Sequence, residues 1–327
     1  MSFRGLQVLA SSLRSVDARR PFVLLTDSAS AADANVQATA HTWRLQVVQV
    51  ALLAGTGMLC SQTANTRLAA SFTTFAAWNL TQYDKVLWLE MDQLVLRPLD
   101  TLWATHLGDA SVAAAPTAGS TSCSNVLFGF NSGVQLLRPS AIMLAEFLAA
   151  LYSGKYECGS GFQALWNSVL TRGRIKCLPS SFNCACVTRP PHDTRGCQLG
   201  PATHCLEGTA SIPHILHFSG AVKPWHASRN SSRQIPEWAL RAWRTASARA
   251  EAELKAAAHS TTDLHIPPHC EAAAATLLPA QRWSFKTLLR ANGTTLDAHK
   301  LSLYVASAYA RELEPFLREQ QSTAAAF

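Results

Sequence analysis

The sequence predicts an α/β domain followed by a helical extension, and three observations point there. Over the first hundred residues, short apolar runs alternate with segments of helical period. One such run, Val86 to Leu89, has the length and bulk of a strand buried on both faces. It delivers two acids, Glu90 and Asp92, to its carboxyl end, where an open α/β sheet binds its ligands. Beyond Pro236 the chain turns to Ala, Arg and Glu, the composition of a long helix.

The elements follow in order. Leu6, Leu9 and Leu13 fall at helical spacing, which makes Gly5 to Arg14 an amphipathic helix. Pro21 to Thr26 reads as a buried strand closed by Asp27-Ser28, residues 30–42 as a polar-alanine helix, and Leu45 to Val50 as the next strand. Residues 61–80 include a helix that ends at Asn79, ahead of the acid-bearing strand. Ser111 to Ala115 is strand-like, and Phe128 to Pro139 gives a turn and then a buried strand. Pro139 opens a helix to Tyr152, a position where its missing N–H costs nothing. Phe162 to Leu170 is a further helix, and Pro213 to His217 a final short strand. Two helices, Pro236 to Ala258 and Leu296 to Gln320, flank a break at Ile266-Pro-Pro-His. The division is therefore an α/β domain over 1–230 and a helical extension over 231–327.

Composition narrows the function. The 327 residues are 48% hydrophobic and 15% charged, enough apolar material for a sizeable core and too little charge for a disordered chain. A net charge of +7 suits an anionic ligand such as a nucleotide diphosphate. The basic residues are scattered, without Lys/Arg blocks, which argues against nucleic acid. No run reaches the roughly 18–20 apolar residues of a membrane span, and Met1 leads into a helical pattern rather than a signal peptide, so a soluble chain is expected. Of nine cysteines, five crowd Cys177 to Cys205, at spacings that do not match a zinc site. Disulfides would fit an oxidising lumen, and Asn-x-Ser/Thr triplets at Asn79, Asn230 and Asn292 allow it. The compartment stays open between Golgi lumen and cytoplasm, with a lean to the secretory pathway.

Three blocks stand in order along the chain: Asn79-Leu-Thr-Gln-Tyr-Asp-Lys-Val-Leu-Trp-Leu-Glu-Met-Asp-Gln-Leu-Val-Leu, then Phe130-Asn-Ser-Gly-Val, then His217-Phe-Ser-Gly-Ala-Val-Lys-Pro-Trp225. Together they resemble the signature blocks of the glycogenin-like glycosyltransferases, glycosyltransferase family 8, over a stretch from Gly5 to Trp225. The resemblance implies a GT-A fold, a Rossmann-like nucleotide-diphospho-sugar transferase domain. It implies a UDP-sugar donor, Mn²⁺, a glycan or protein acceptor, and transfer with retention of anomeric configuration. It also allows for a homodimer.

A nucleotide-sugar breaks between its anomeric carbon and a diphosphate leaving group, so charge developing on that diphosphate must be neutralised. Mn²⁺ accepts mixed carboxylate and imidazole ligands, and the resemblance puts these at Glu90, Asp92 and His217. A His at a strand end is more often simply packed, but the Gly220 and Lys223-Pro-Trp that follow favour a ligand. Gly220 would let the backbone approach the phosphates, and Lys223 would bring its ammonium to them. Asn131, Ser132 and Gly133 occupy the family's sugar- and acceptor-facing turn, although Asn-Ser-Gly also suits a plain turn before a strand. Gln163 and Asn131 are the catalytic candidates, and Asn167 stands at its expected place.

Four departures stand beside these matches. Family members open with a strand bearing Thr and Asn that hold the uracil, then a stacking Tyr. This chain begins at the following helix, with Ser2 at the Tyr position, so the sheet is expected to lack its first strand. The first acid is normally Asp, and Glu90 carries its carboxylate about 1.5 Å further out. A Lys that reaches the nucleotide-sugar is replaced by Thr74, with Arg67 as the nearby substitute for binding it. The family's Gly-Asp-Gln appears as Gly161-Phe162-Gln163, and a phenyl ring neither accepts a proton nor stabilises a cationic sugar by charge. The alternative these changes raise is a pseudoenzyme, a folded GT-A domain that binds a glycan or partner chain. A metal-dependent nucleotidyltransferase or phosphatase is less supported, for want of a phosphate-cradling Gly-rich loop.

Overall fold

The computed structural model describes residues 3–51, 53, 70–117, 129–153, 162–170, 172–185, 213–219, 222–226 and 235–260. The chain opens with helix α1 (Phe3–Val16) and strand β1 (Phe22–Thr26), as the apolar spacing predicts. The helix expected over 30–42 is two helices, α2 (Ser28–Ala31) and α3 (Ala34–Trp43). Asp27 caps α2 by accepting from the Ser30 N–H, and Asp33 makes the break by capping a second start, accepting from the Asn35 N–H. Arg44, in the left-handed region at φ 54°, ends α3 and turns the chain into β2 (Leu45–Gln49). Strands β1 and β2 pair in parallel, from Phe22 opposite Leu45 to Thr26 opposite Gln49, closing a β-α-β unit.

The rest of the sheet lies in two pieces. One has the order β3-β6-β5-β7, from β3 (Val86–Leu89), β5 (Val112–Pro116), β6 (Phe130–Leu137) and β7 (Ile175–Cys177). The other has the order β4-β9-β8, from β4 (Gln93–Val95), β8 (Cys184–Ala185) and β9 (Ile215–His217). Strand β3 spans the residues read from the sequence, but its burial differs from the expectation. It pairs on one edge only, antiparallel to β6, and all four of its residues are half-buried. Its apolar side chains line a cavity of about 780 Å³ shared with β1. Among the described residues no strand lies between β1 and β3.

Two further readings shift. Residues 70–79 form a 3₁₀-helix, and the rest of the 61–80 segment lies outside the described residues. Helix α5 (Ala141–Ser153) starts just after Pro139, with the Ser140 hydroxyl accepting from the Met143 N–H at 3.3 Å. A short α4 (Asp100–Trp103) precedes β5, and α6 (Phe162–Val169) packs against α5 and β6. The main core gathers Phe75, stacked on Phe147 at 4.4 Å, with Trp78, Leu165 and Trp166.

The extension beyond 230 joins this fold through α7 (Glu237–Ser260), and the helix expected at 296–320 lies outside the described residues. Ala239, Leu240 and Trp243 share a core cluster with Val8 of α1, Leu94 of β4 and Phe218. Polar contacts tie the same helices: Arg249 Nε donates to Ser11 Oγ at 3.2 Å, and Trp43 Nε1 donates to Glu253 Oε2 at 2.7 Å. Truncating Trp243 to Ala should therefore cost about 3–5 kcal/mol of the whole domain's stability in urea unfolding. A loss below about 1 kcal/mol would show instead that α7 is separable.

Candidate functional site

The site forms where three chain segments meet at strand ends. Strand β3 stops at Leu89, and a turn carries Glu90 and Asp92 into β4. The Glu90 N–H and the Gln93 side-chain amide both donate to the Gly133 carbonyl of β6, at 3.3 and 2.8 Å, which anchors the turn to the central strand. Strand β9 runs antiparallel to β4 with His217 opposite Gln93, and the Phe218 N–H donates to the Asp92 carbonyl at 2.9 Å. The ladder thus delivers an imidazole from 125 positions later in the chain to the two acids.

Nε2 of His217 lies 3.2 Å from Glu90 Oε2 and 3.4 Å from Asp92 Oδ1. The longer Glu90 side chain still reaches the cluster. One ligand atom from each residue falls within 4.8 Å of the others. His217 is 3% exposed and Asp92 and Glu90 12% and 28%, so the group is open towards the cavity on the Glu90 side. Lys223 pairs with Asp92 Oδ2 and donates to the Phe218 carbonyl at 2.9 Å.

Burial alone would favour a neutral imidazole, but the adjoining Asp92 and Glu90 carboxylates outweigh it and push His217 up to about 10. Burial would likewise raise Asp92, yet His217 and Lys223 hold its carboxyl well below the usual carboxylate range. Asp92 Oδ1 is nevertheless buried without a hydrogen-bond partner, 3.4 Å from His217 Nε2. Two carboxylates, one of them with an unsatisfied buried oxygen, and one imidazole form a donor set that fits a divalent cation such as Mn²⁺. A ligating imidazole must be neutral, so a bound cation and a protonated His217 are competing states of this cluster.

Asn131, Ser132 and Gly133 lie within β6, opposite a register shift in β5 between Ala114 and Pro116, rather than in a turn before the strand. Asn131 Oδ1 accepts from the Gly133 N–H at 2.9 Å and from Asn183 Nδ2 at 2.7 Å. Ser132 is buried and donates through both N–H and Oγ to Gln163 Oε1, at 3.2 and 3.3 Å. Asn167 grips the Phe130 peptide from both sides, accepting from its N–H at 2.8 Å and donating to its carbonyl at 3.0 Å. Phe162 points into the core, edge-on to Phe75 at 6.1 Å. Thr74 is buried at the cavity wall. Gly220 and Arg67 lie outside the described residues.

Sequence reading did not single out Asn183 or Gln93. Gln93 follows the acid pair directly, a signal that was available. Nothing around Asn183 marks it, because its place depends on partners 34 and 52 positions away.

With this geometry in view, the sequence profile of Glycosyl transferase family 8 matches residues 58–229. The chain belongs to this family. Mouse Glycogenin-1 is 28% identical over 232 residues, covering 69% of this chain and 63% of its own length. Human Glycogenin-2 is 30% identical over 168 residues, covering 50% and 29%. The chain thus spans less than two thirds of the curated relatives it matches. Among solved structures, the galactosyltransferase LgtC in complex with donor and acceptor sugar analogues superposes with a TM-score of 0.52 at 21% identity, over 76% of this chain and 92% of its own. The glycosyltransferase GlyE of Streptococcus pneumoniae gives 0.51 at 19%, over 77% and 60%. This family-8 chain therefore has the GT-A fold.

Two outcomes follow from the geometry. A Cβ on Gly133 would fall 2.3 Å from His217 Cε1, so Gly133→Ala must displace the imidazole. Calorimetric titration should then show Mn²⁺ binding weakened about tenfold or more, with the fold retained. In the metal-free protein, the raised His217 value means its ion pairs stabilise fully below the ordinary 6.5 and are lost as pH rises towards 10. The melting temperature should fall over that interval more steeply than in His217→Gln. Equal slopes would refute the ion pairing.

Proposed function

We propose that this chain transfers a hexose from a UDP-sugar to a glycan or protein acceptor, with Mn²⁺ and with retention of anomeric configuration. The observation that carries this is the Glu90-Asp92-His217 cluster, set at strand ends beside a large cavity in a family-8 chain. Similar proteins agree in kind: curated relatives are glycogenins, and one structure of like fold holds donor and acceptor sugar analogues.

In this reading Glu90, Asp92 and His217 hold the cation, which when bound supplies positive charge against the leaving diphosphate. Lys223, paired with Asp92, adds a second positive charge, and the resemblance gives Gly220, outside the described residues, the role of a phosphate-facing glycine. Asn131, Ser132 and Gly133 form the wall facing the transferred sugar. Phe162 puts a phenyl ring, not a carboxylate, next to Gln163 at the start of α6. Gln163, held against Ser132, and Asn131 are then the polar groups that orient the sugar. Orientation and charge neutralisation carry the reaction here, since no side chain at position 162 is able to take a proton.

The cavity is apolar along β1 and β3 and carries Glu90, Asp92 and Lys223 among the charged residues of its wall, which supports a ligand with a flat base and an anionic tail. Cys177 is disulfide-bonded, and a disulfide persists in oxidising compartments, which supports a place in the secretory pathway.

Titration calorimetry with UDP, with and without Mn²⁺, tests the reading. Metal-dependent binding in the micromolar range is expected, weakened about tenfold or more by His217→Ala. A UDP-sugar screen with NMR of the product anomer follows. Folded protein that binds no UDP would overturn the proposal, and UDP binding without transfer would mark a domain whose chemistry Phe162 has removed.

A further inference from the structure

Behind the cluster stands a buried carboxamide with no assigned role. Asn183 is 5% exposed and sits on the 3₁₀ turn Ser180–Phe182 just before β8. Its backbone N–H donates to the Ser180 carbonyl at 3.0 Å, and β8 pairs in parallel with β9, the strand that ends in His217. The side chain lies between two functional residues. One end meets Asn131 Oδ1 at 2.7 Å, and the other meets His217 Nδ1 at 2.9 Å.

The orientation of this contact chain follows from a single backbone group. The Gly133 N–H can only donate, and it lies 2.9 Å from the Asn131 carboxamide, so Asn131 turns its oxygen there. That oxygen also faces Asn183, so Asn183 must present its NH₂ to it. The Asn183 oxygen is then left for His217, and Nδ1 of His217 must carry the hydrogen. Nε2 is the nitrogen left to face Glu90 and Asp92.

We propose that Asn183 is the positioning residue of the cation site: it fixes the His217 ring and its Nδ1–H tautomer so that Nε2 is the ligand. A ligating imidazole whose second nitrogen is bonded in this way keeps one orientation and one tautomer. The same carboxamide joins the cation site to Asn131 of β6. This rests on Glu90, Asp92 and His217 being cation ligands.

The test measures MnCl₂ affinity by calorimetry beside thermal stability, in the whole chain. Asn183→Asp keeps an acceptor for the His217 Nδ1–H but sets an oxygen against Asn131 Oδ1. It should bind Mn²⁺ within about threefold of wild type while melting at a lower temperature. Asn183→Leu keeps the bulk and removes both bonds, so Mn²⁺ affinity should fall about ten- to a hundredfold. If Asn183→Leu fails to fold, Asn183→Ser takes its place, since its hydroxyl is too short to reach His217. A merely structural Asn183 would give affinities that follow the melting temperatures, with Asn183→Asp as weak as Asn183→Leu, and that result overturns the proposal. Wild-type affinity in folded Asn183→Leu overturns it equally and leaves the cation site standing. Wild-type protein that binds no Mn²⁺ overturns both.

Discussion

The structure around the site depends on one close approach, the His217 imidazole lying over the backbone of Gly133. Any Cβ there would sit 2.3 Å from Cε1 and 2.7 Å from Nδ1, inside contact distance. This absence of a side chain brings two sheet pieces together. On one side the Gly133 carbonyl accepts from Glu90 and Gln93, which fixes the acid-bearing turn. On the other its N–H orients Asn131, and through Asn183 the histidine itself. A glycine is needed here for contact rather than for an unusual φ, since the only described glycines with positive φ are Gly108 and Gly129.

Much of the fold was legible because strand ends and caps are local. Val86–Leu89 has the bounds its apolar run implies, and helices α1, α6 and α7 start or stop within about two residues of their sequence signals. What failed was the environment of those elements. Full burial of β3 was inferred from its composition, but an apolar run lines a cavity as readily as a core. The polar-alanine stretch before β2 was read as one helix because the Asp33 cap competes with an otherwise continuous pattern. At the site, motif blocks point to Glu90, Asp92 and His217 individually. Asn183 has no such mark, since its meaning lies in a hydrogen-bond chain that only the folded β8-β9 pair creates.

Phe162 shows how one substitution reaches past its own position. It stands at the start of α6, next to Gln163, where a carboxylate would have faced the cavity. The ring instead packs edge-on to Phe75, which stacks on Phe147 in the main core. The helix therefore gains apolar anchorage at the point where it loses charge. Its polar bonds to β6 are intact, with Gln163 holding Ser132 and Asn167 holding the Phe130 peptide. Phe162→Asp would return a carboxylate to the cavity wall but leave Phe75 without its edge-on partner, so charge comes back at the expense of core packing.

The elements that brace the acids and Lys223 lie outside the matched 58–229 segment. Gly5 of α1 sits so close to Met91 that a Cβ would meet its carbonyl at 2.8 Å and the Trp225 ring at 3.0 Å. From the opposite end of the described residues, Trp243 of α7 packs edge-on to Phe218 at 5.3 Å and against Trp225 at 5.5 Å. Met91 lies between the two acids, Phe218 follows His217, and Trp225 closes the Lys223 loop. Helices α1 and α7 pack on each other through Ser11 and Arg249, so the two ends of the described chain form one brace beneath three site segments. Strand pairing aims the ligands, and this brace limits how far their loops separate. The two-residue β8-β9 ladder does not hold His217 alone: β4 pairs with β9 on its other edge, and its continuation, Phe218, is buried under Trp243.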